Sequence, residues 1–480
     1  MQFYKMFLSA LIVLIAEMVV PGLLSAQPDS PEVYRLRREK LLSRMDTGMA
    51  IFKGSSDNFY YLTGYRRPDA AMALMTGQRH EFNMFLPAAS PLGDVYTGHQ
   101  YGPEDAVRLY GADTAYTLSA FDAFVHRHLQ KDGVLYADMG ERDMQELLSQ
   151  MMRQGRLNGL QAVRNISQLI DGMRLIKDGH EVQKLQKAID ITGLSFQKAM
   201  AITQPGLYEY EVEAAVEYVF RKNGARQPGF ESIVASGSNA TILHYHHNNE
   251  RMHKGELLLM DIGAEYERYT ADITRTIPVS GTFSREQAQL YRLVHEALRK
   301  GTQEMVPGKG IYEAHHRATD IIIRGLYQLG LVTDTSSPWQ RKFYTLYPIG
   351  HWLGLDVHDV GYYGENNIHD NRGEMVNKNV LGTVLRPGMV VTIEPGIYMR
   401  ENVLDKLQYL FPEVPQAELN AFAETVKPAY KRYAGIGIRI EDDVLITSGG
   451  NEVLSGEIPK SIEAIEQGIG EVHDQPSLFH

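Results

Sequence analysis

Asp261, Asp272, His351, Glu394 and Glu441 are the residues of this chain best placed to do chemistry, because all but His351 interrupt apolar, strand-like runs where charge is costly. Asp261 closes Leu-Leu-Leu-Met-Asp-Ile-Gly, and Asp272 lies in Tyr-Thr-Ala-Asp-Ile-Thr-Arg-Thr. Glu394 lies in Val-Val-Thr-Ile-Glu-Pro-Gly-Ile-Tyr, and Glu441 in Gly-Ile-Arg-Ile-Glu-Asp-Asp-Val. Buried carboxylates need a compensating charge or a metal. Four of them carry a formal charge of about −4, which two divalent cations neutralise and one does not. Oxygen donors with a single imidazole suit manganese, cobalt, iron or zinc. Two such ions sharing carboxylates make a hydrolytic centre.

His351 and His358 share Gly-His-Trp-Leu-Gly-Leu-Asp-Val-His-Asp-Val-Gly. A spacing of seven is one face of a helix but opposite faces of a strand. Gly350 and Gly354 point to a loop, so periodicity leaves open whether both imidazoles face one site. His244 lies in Ile-Leu-His-Tyr-His-His-Asn-Asn, where His246 and His247 read as solvated loop residues, as His315 and His316 read as surface positions on a helix. Competing signatures are missing. His295-Glu296 is not followed by the second histidine of a zinc-protease helix. No Gly-x-Ser-x-Gly elbow occurs, and Gly308-Lys309 is followed by glycine instead of the hydroxyl residue of a phosphate loop.

The elements around these residues follow a pattern. Two helical segments, 178–203 and 208–223, precede the strands carrying Asp261 and Asp272. Two more follow, one opened by the capping box Ser284/Gln287 and one marked by Ile321, Ile322 and Leu326. Strands carrying Glu394 and Glu441 come after these. Helix, helix and carboxylate-bearing strand pair therefore occur twice, which predicts a two-fold pseudo-repeat with the site between its halves. A turn about Tyr266 and Glu267 would set Asp261 directly opposite Asp272, about 5 Å away. Arg439 and Glu441, two apart, share a strand face, and Asp442 points the other way into a structural role. Upstream, residues 32–172 alternate helical and strand-like runs. They include a basic amphipathic segment at 33–45 and apolar runs at 48–52, 70–75, 81–87 and 133–137, and they read as a separate α/β domain.

Composition narrows the function. The 480 residues carry a formal charge of −11, which argues against nucleic acid or anionic membrane as the main partner. No cysteine is present, so disulfides, thiolate zinc sites and cysteine nucleophiles are excluded. Lys5, an apolar stretch over 6–20 and the small residues Ser25 and Ala26 predict an export signal over 1–26, cleaved before Gln27. The alternative is an uncleaved anchor. Cleavage would leave an exported protein, periplasmic or secreted, with no stable membrane association.

These motifs resemble the pita-bread metallopeptidases: aminopeptidase P, prolidase, methionine aminopeptidase and creatinase. The segments around His244, Asp261, Asp272, His351–His358, Glu394 and Arg439–Glu441 carry the likeness over 173–463, with a tail at 464–480. Asp57-Asn-Phe-Tyr-Tyr-Leu-Thr-Gly-Tyr resembles the non-catalytic first domain of aminopeptidase P. The resemblance implies an α/β (α+β) chain, with a creatinase/prolidase-type first domain and a pita-bread catalytic domain of pseudo-two-fold symmetry. It implies two divalent ions, usually Mn2+, with Co2+, Zn2+ or Fe2+ as alternatives. Asp272 and Glu441 would bridge them, Asp261 would complete one, and His351 with Glu394 the other. A hydroxide between the metals would attack the peptide carbonyl, Glu394 would shuttle the proton, and His244, His358 and Arg439 would complete the catalytic set. The implied substrates are peptides with proline second, and the implied assembly is a homo-oligomer. The segment at about 401–433 between Glu394 and Glu441 is a departure shared with prolidases, so an Xaa-Pro dipeptidase is the alternative. A catalytically inactive pita-bread binding protein is the alternative of a different class.

Overall fold

The computed structural model describes residues 30–129, 133–364 and 382–473. The expected export segment 1–26 and residues 474–480 of the expected tail lie outside them. The chain divides into two compact units between Ser167 and Gln168. The boundary expected at 172/173 falls inside the helix Ser167–Arg174.

The first unit is built on a six-stranded sheet: β1 (Gly48–Lys53), β2 (Ala71–Met75), β3 (Phe82–Leu86), β4 (Thr114–Thr117), β5 (Val134–Ala137) and β6 (Ala162–Asn165). Its order is β4-β3-β2-β1-β5-β6. The middle strands β1 to β3 pair antiparallel, and the outer ones join in parallel. Strands β2, β3 and β5 are buried along their whole length, which is why they read as continuous apolar runs. β4 and β6 are half-exposed edge strands with no apolar pattern to mark them in the sequence. The basic segment 33–45 is the helix Pro31–Leu42, capped by the Ser30 side chain. Its Arg37 and Arg38 are buried, donating to the carbonyls of Tyr61 and Leu62.

The second unit opens on the helices Gly179–Ile202 and Glu209–Lys222. Asp178 caps the first and closes a capping box with Glu181. The second ends before Gly224, whose φ of 96° only glycine adopts readily. The second helix pair is Arg285–Thr302, with the expected Ser284/Gln287 box, and Ile311–Gln328.

Each helix pair is followed by a long antiparallel ladder that breaks once and resumes in the same register. In the first ladder, pairs run from Leu257↔Pro278 to Ile273↔Ile262, then from Glu265↔Thr270 to Tyr266↔Tyr269. In the second they run from Val390↔Leu445 to Ile393↔Asp442, then from Gly396↔Arg439 to Tyr398↔Gly437. Asp272 sits opposite Gly263 in the first break. Glu441 sits opposite Glu394 in the second, where Pro395 has no N–H to give. Two steps from each break lies an aspartate–threonine pair, Asp261↔Thr274 in one ladder and Thr392↔Asp443 in the other. The two halves are thus matched in backbone plan, with the side-chain types exchanged across the strands.

The turn of the first hairpin lies one residue later than expected. Glu267 and Arg268 both have positive φ, 52° and 69°, the pattern of a type I′ turn whose twist suits a tight hairpin. That shift puts Thr274, not Asp272, directly opposite Asp261. Asp272 lies on the same face, on the diagonal.

The insertion is ordered structure. The helix Gln416–Tyr433 buries Leu419, Phe422, Val426, Tyr430 and Tyr433. Phe411 and Phe422 pack on Trp339 and Phe343 with ring centroids 4.9–6.3 Å apart. Residues 464–473, expected as tail, belong to the helix Ile462–His473, with Ile465 and Ile469 buried. Burial of each such aliphatic side chain contributes about 1.5–3 kcal/mol. Among the described residues, no helix is long and apolar enough to cross a membrane.

Candidate metal centre

The two ladder breaks and one loop bring the acids together. Asp272, His351 and Glu441 each offer a ligand atom, and these atoms lie within 4.8 Å of one another. His351 Nε2 is 3.2 Å from Asp272 Oδ2 and 3.7 Å from Glu394 Oε1. The loop bearing His351 is held flat against the second ladder. His351 N donates to Thr392 Oγ1 at 3.1 Å, and Thr392 N donates to the His351 carbonyl at 2.9 Å. Gly350 is required there, since a Cβ would sit 2.5 Å from the Thr392 carbonyl oxygen. His351 Nδ1 lies 3.1 Å from the Trp352 carbonyl, which can only accept. Nδ1 can therefore donate to that carbonyl, which leaves Nε2 as the ring nitrogen aimed at the acids.

Thr274 and Arg439 knit the halves. Thr274 Oγ1 donates to Glu441 Oε2 at 2.8 Å and accepts from Arg439 Nε at 3.0 Å. Arg439 also donates to the Asp261 carboxylate and, at 3.0 Å, to the Tyr398 hydroxyl. Tyr398 in turn is 2.7 Å from Tyr347, whose hydroxyl donates to the Glu394 carbonyl. Asp442 points away, as its neighbours in sequence require, and pairs with Arg275 and Lys460. Burial alone would raise its pKa, but those two cations hold it below the ordinary value.

The acids of the centre behave oppositely. Burial, then the charges of Asp261, Asp443 and Glu394, pushes Asp272 well up. Burial, then Asp272, Glu394 and Asp261, does the same to Glu441. Burial raises Glu394 to about 7 against the pull of His351 and Arg439. Arg439 donates to the carboxylate of Asp261, and Arg275 reaches only the backbone carbonyl of Glu441. The Oδ1 atoms of Asp261 and Asp443 are buried without a hydrogen-bond partner among the described residues. Crowded carboxylates, orphaned oxygens and an imidazole nitrogen aimed at them form a donor set that fits divalent cations.

His358 joins His351 edge-to-face with ring centroids 4.3 Å apart. Burial, then the nearby His351 and His244, lowers its pKa. His244 and His358 are both exposed, as are His246 and His247. His315 is not the surface residue the sequence predicts. It is half-buried, its Nδ1 accepts from Ile349 N at 3.3 Å, and burial lowers its pKa to about 4. Sequence reasoning missed Asp443 and Thr274. Asp443 is fully buried, and its Oδ2 accepts from Asp272 N at 3.2 Å. The signal was present in the repeat: Asp443 and Thr274 occupy matching positions in the two ladders.

Fold and site define a metallopeptidase, with a donor set for divalent cations at the junction of a duplicated scaffold. The chain belongs to metallopeptidase family M24, whose pattern matches residues 183–448, and residues 34–136 match the aminopeptidase P N-terminal domain. It is 36% identical to a Haemophilus influenzae Xaa-Pro aminopeptidase over 85% of this chain and 86% of that one. It is 31% identical to the Escherichia coli Xaa-Pro aminopeptidase, over 91% of this chain and 97% of the relative. Among solved structures, Pseudomonas aeruginosa aminopeptidase PepP superposes with a TM-score of 0.79 at 32% identity, covering 93% of this chain and 99% of that chain. Escherichia coli aminopeptidase P with the inhibitor Pro-Leu gives 0.79 at 30% identity, covering 94% and 100%.

Proposed function

We propose that this protein is a Xaa-Pro aminopeptidase, which hydrolyses the bond between an N-terminal residue and a following proline in a metal-dependent reaction. The observation that carries the reading is the convergence of Asp272, His351 and Glu441 within 4.8 Å, in a chain similar to Xaa-Pro aminopeptidases along most of its length. Asp272 and Glu441 would hold two ions jointly, Asp261 one of them, and His351 with Glu394 the other. Bound there, two divalent cations, Mn2+ first and Co2+, Zn2+ or Fe2+ as alternatives, supply Lewis acidity and lower the pKa of water.

The chain's own residues do the rest. A bond to proline has no N–H, so recognition falls on the scissile carbonyl and the N-terminal amine. The exposed imidazoles of His244 and His358 donate to the carbonyl oxygen as negative charge develops on it. Glu394 takes a proton and hands it to the leaving proline nitrogen. Arg439 is a positioning residue, buried with its donors on Asp261, Thr274 and Tyr398.

The test is removal of metal with chelator, followed by addition of Mn2+ and assay on an Xaa-Pro-Yaa peptide. Activity lost and then restored is the expected result. No recoverable cleavage of any Xaa-Pro peptide would leave the chain as an inactive binding protein. Export after cleavage before Gln27 and a homo-oligomeric state are also proposed. N-terminal sequencing from the native host and sedimentation of the purified protein test them.

A further inference from the structure

Glu209 is a fully buried carboxylate in the second unit, and no cation pairs with it among the described residues. Five donors converge on it instead. Oε1 accepts from Ser236 N at 2.6 Å, Ser236 Oγ at 2.8 Å and Asn239 Nδ2 at 3.1 Å. Oε2 accepts from Tyr245 Oη at 2.9 Å and Glu250 N at 2.9 Å. Its own backbone N donates to the Glu250 carbonyl at 3.0 Å. The residue opens the helix Glu209–Lys222, where the free N–H groups of a first turn favour negative charge. One side chain thus ties together a helix start, the turn after the strand Ile233–Ser236 and the loop 244–250.

That loop carries His244. It is fixed from the other side by Asn248, which adopts a positive φ of 44° so that its side chain can bond Val234 N at 3.0 Å and the Ser232 carbonyl at 2.8 Å. The turn clasped by Glu209 also abuts the strand bearing Arg439. A Cβ on Gly437 would lie 2.0 Å from the Ala240 carbonyl oxygen. The clasp is buried and polar, and its tie to the exposed site is Tyr245, the neighbour of His244.

We propose that Glu209 is a positioning residue that sets His244 over the substrate carbonyl by holding Tyr245 and Glu250. The proposal rests on the role given to His244 above. Glutamine at this position keeps the shape, but its amide nitrogen must face donors that cannot turn away: Glu250 N on one side, Ser236 N on the other. The loop would then loosen without losing its fold.

The experiment is a double-mutant cycle on an Xaa-Pro-Yaa tripeptide, with metal content and thermal stability recorded for every variant. Glu209→Gln is expected to lower kcat/KM about tenfold or more with metal content unchanged, since small misplacements of a contacting group cost up to about a hundredfold. Once His244→Ala has been made, adding Glu209→Gln is expected to change kcat/KM by less than about twofold, because its effect passes through an imidazole already absent. Tyr245→Phe removes a single bond of the clasp and should show the same non-additivity, which keeps the test alive if Glu209→Gln fails to fold. Multiplicative losses, or wild-type kcat/KM in Glu209→Gln and Tyr245→Phe, would overturn the proposal. Wild-type kcat/KM in His244→Ala would remove the role of His244 and this proposal with it, while chelator-sensitive cleavage would still support the enzyme.

Discussion

Arg439 and Asp261 belong to different halves of the duplicated scaffold and meet across the centre, the guanidinium donating to the carboxylate from one ladder to the other. The pair is nearly dry, with Arg439 4% exposed. It cancels the charge of one acid and leaves the others to be balanced by bound cations. Arg439→Ala should therefore cost the metal-free protein about 3–5 kcal/mol, the usual penalty for stranding a buried charge. Adding Asp261→Asn should recover part of that loss. Urea unfolding of the three proteins without metal measures it, and a double variant less stable than the single one would contradict the account.

Asp272 offers a ligand atom within 4.8 Å of those of both His351 and Glu441, so its removal should be felt by every ion bound there. Asp272→Asn keeps the volume and removes the charge. Bound metal per chain should fall, and kcat/KM should drop below about one-hundredth of wild type. Metal analysis after dialysis distinguishes this from a purely chemical role, in which the metal would stay.

Acid should unlock the segment beside His358. Asp359 is buried between Lys177, at 3.0 Å, and Arg174, at 2.6 Å. Burial would raise its pKa, but the two cations outweigh it and hold the folded value below the ordinary one. A depressed carboxylate contributes stability that is fully present above its unfolded pKa, about 4, and is lost as pH falls through the folded value. Asp359→Asn should thus be less stable than wild type near pH 7, by about 3–5 kcal/mol. The difference should shrink as pH falls below about 4. A gap independent of pH would show that the pair is not the cause.

Substrate length separates an aminopeptidase from an Xaa-Pro dipeptidase. The insertion buries its helix against Trp339 and Phe343, which makes it a packed element of the second unit and not a free lid. Pentapeptides with proline second are expected to be cleaved after the first residue at least as efficiently as the matched Xaa-Pro dipeptide. Comparing kcat/KM for the two decides it, and an inert pentapeptide beside a good dipeptide would assign the chain to the prolidases.

The sequence by itself determined which residues could matter and how often the pattern recurs. A carboxylate breaking an apolar run is visible without coordinates, because burial of charge is expensive wherever the strand lies. The helix cap at Ser284 was legible because capping is local. Tertiary structure alone decided registry and partnership. The first turn sits at Glu267–Arg268 because those backbones adopt positive φ, for which their residue types gave no Asn-Gly signal, and that single step placed Thr274 opposite Asp261. Asp443 looked like its neighbour Asp442, yet the alternation of a strand sends one to Arg275 and the other to the metal centre. His315 read as surface until the loop bearing Ile349 folded onto it. Glu209 looked like any first-turn acid, and only the convergence of segments distant in sequence gave it five donors. Residue chemistry and local propensity are written along the chain. What faces what is set by long-range packing, which periodicity does not encode.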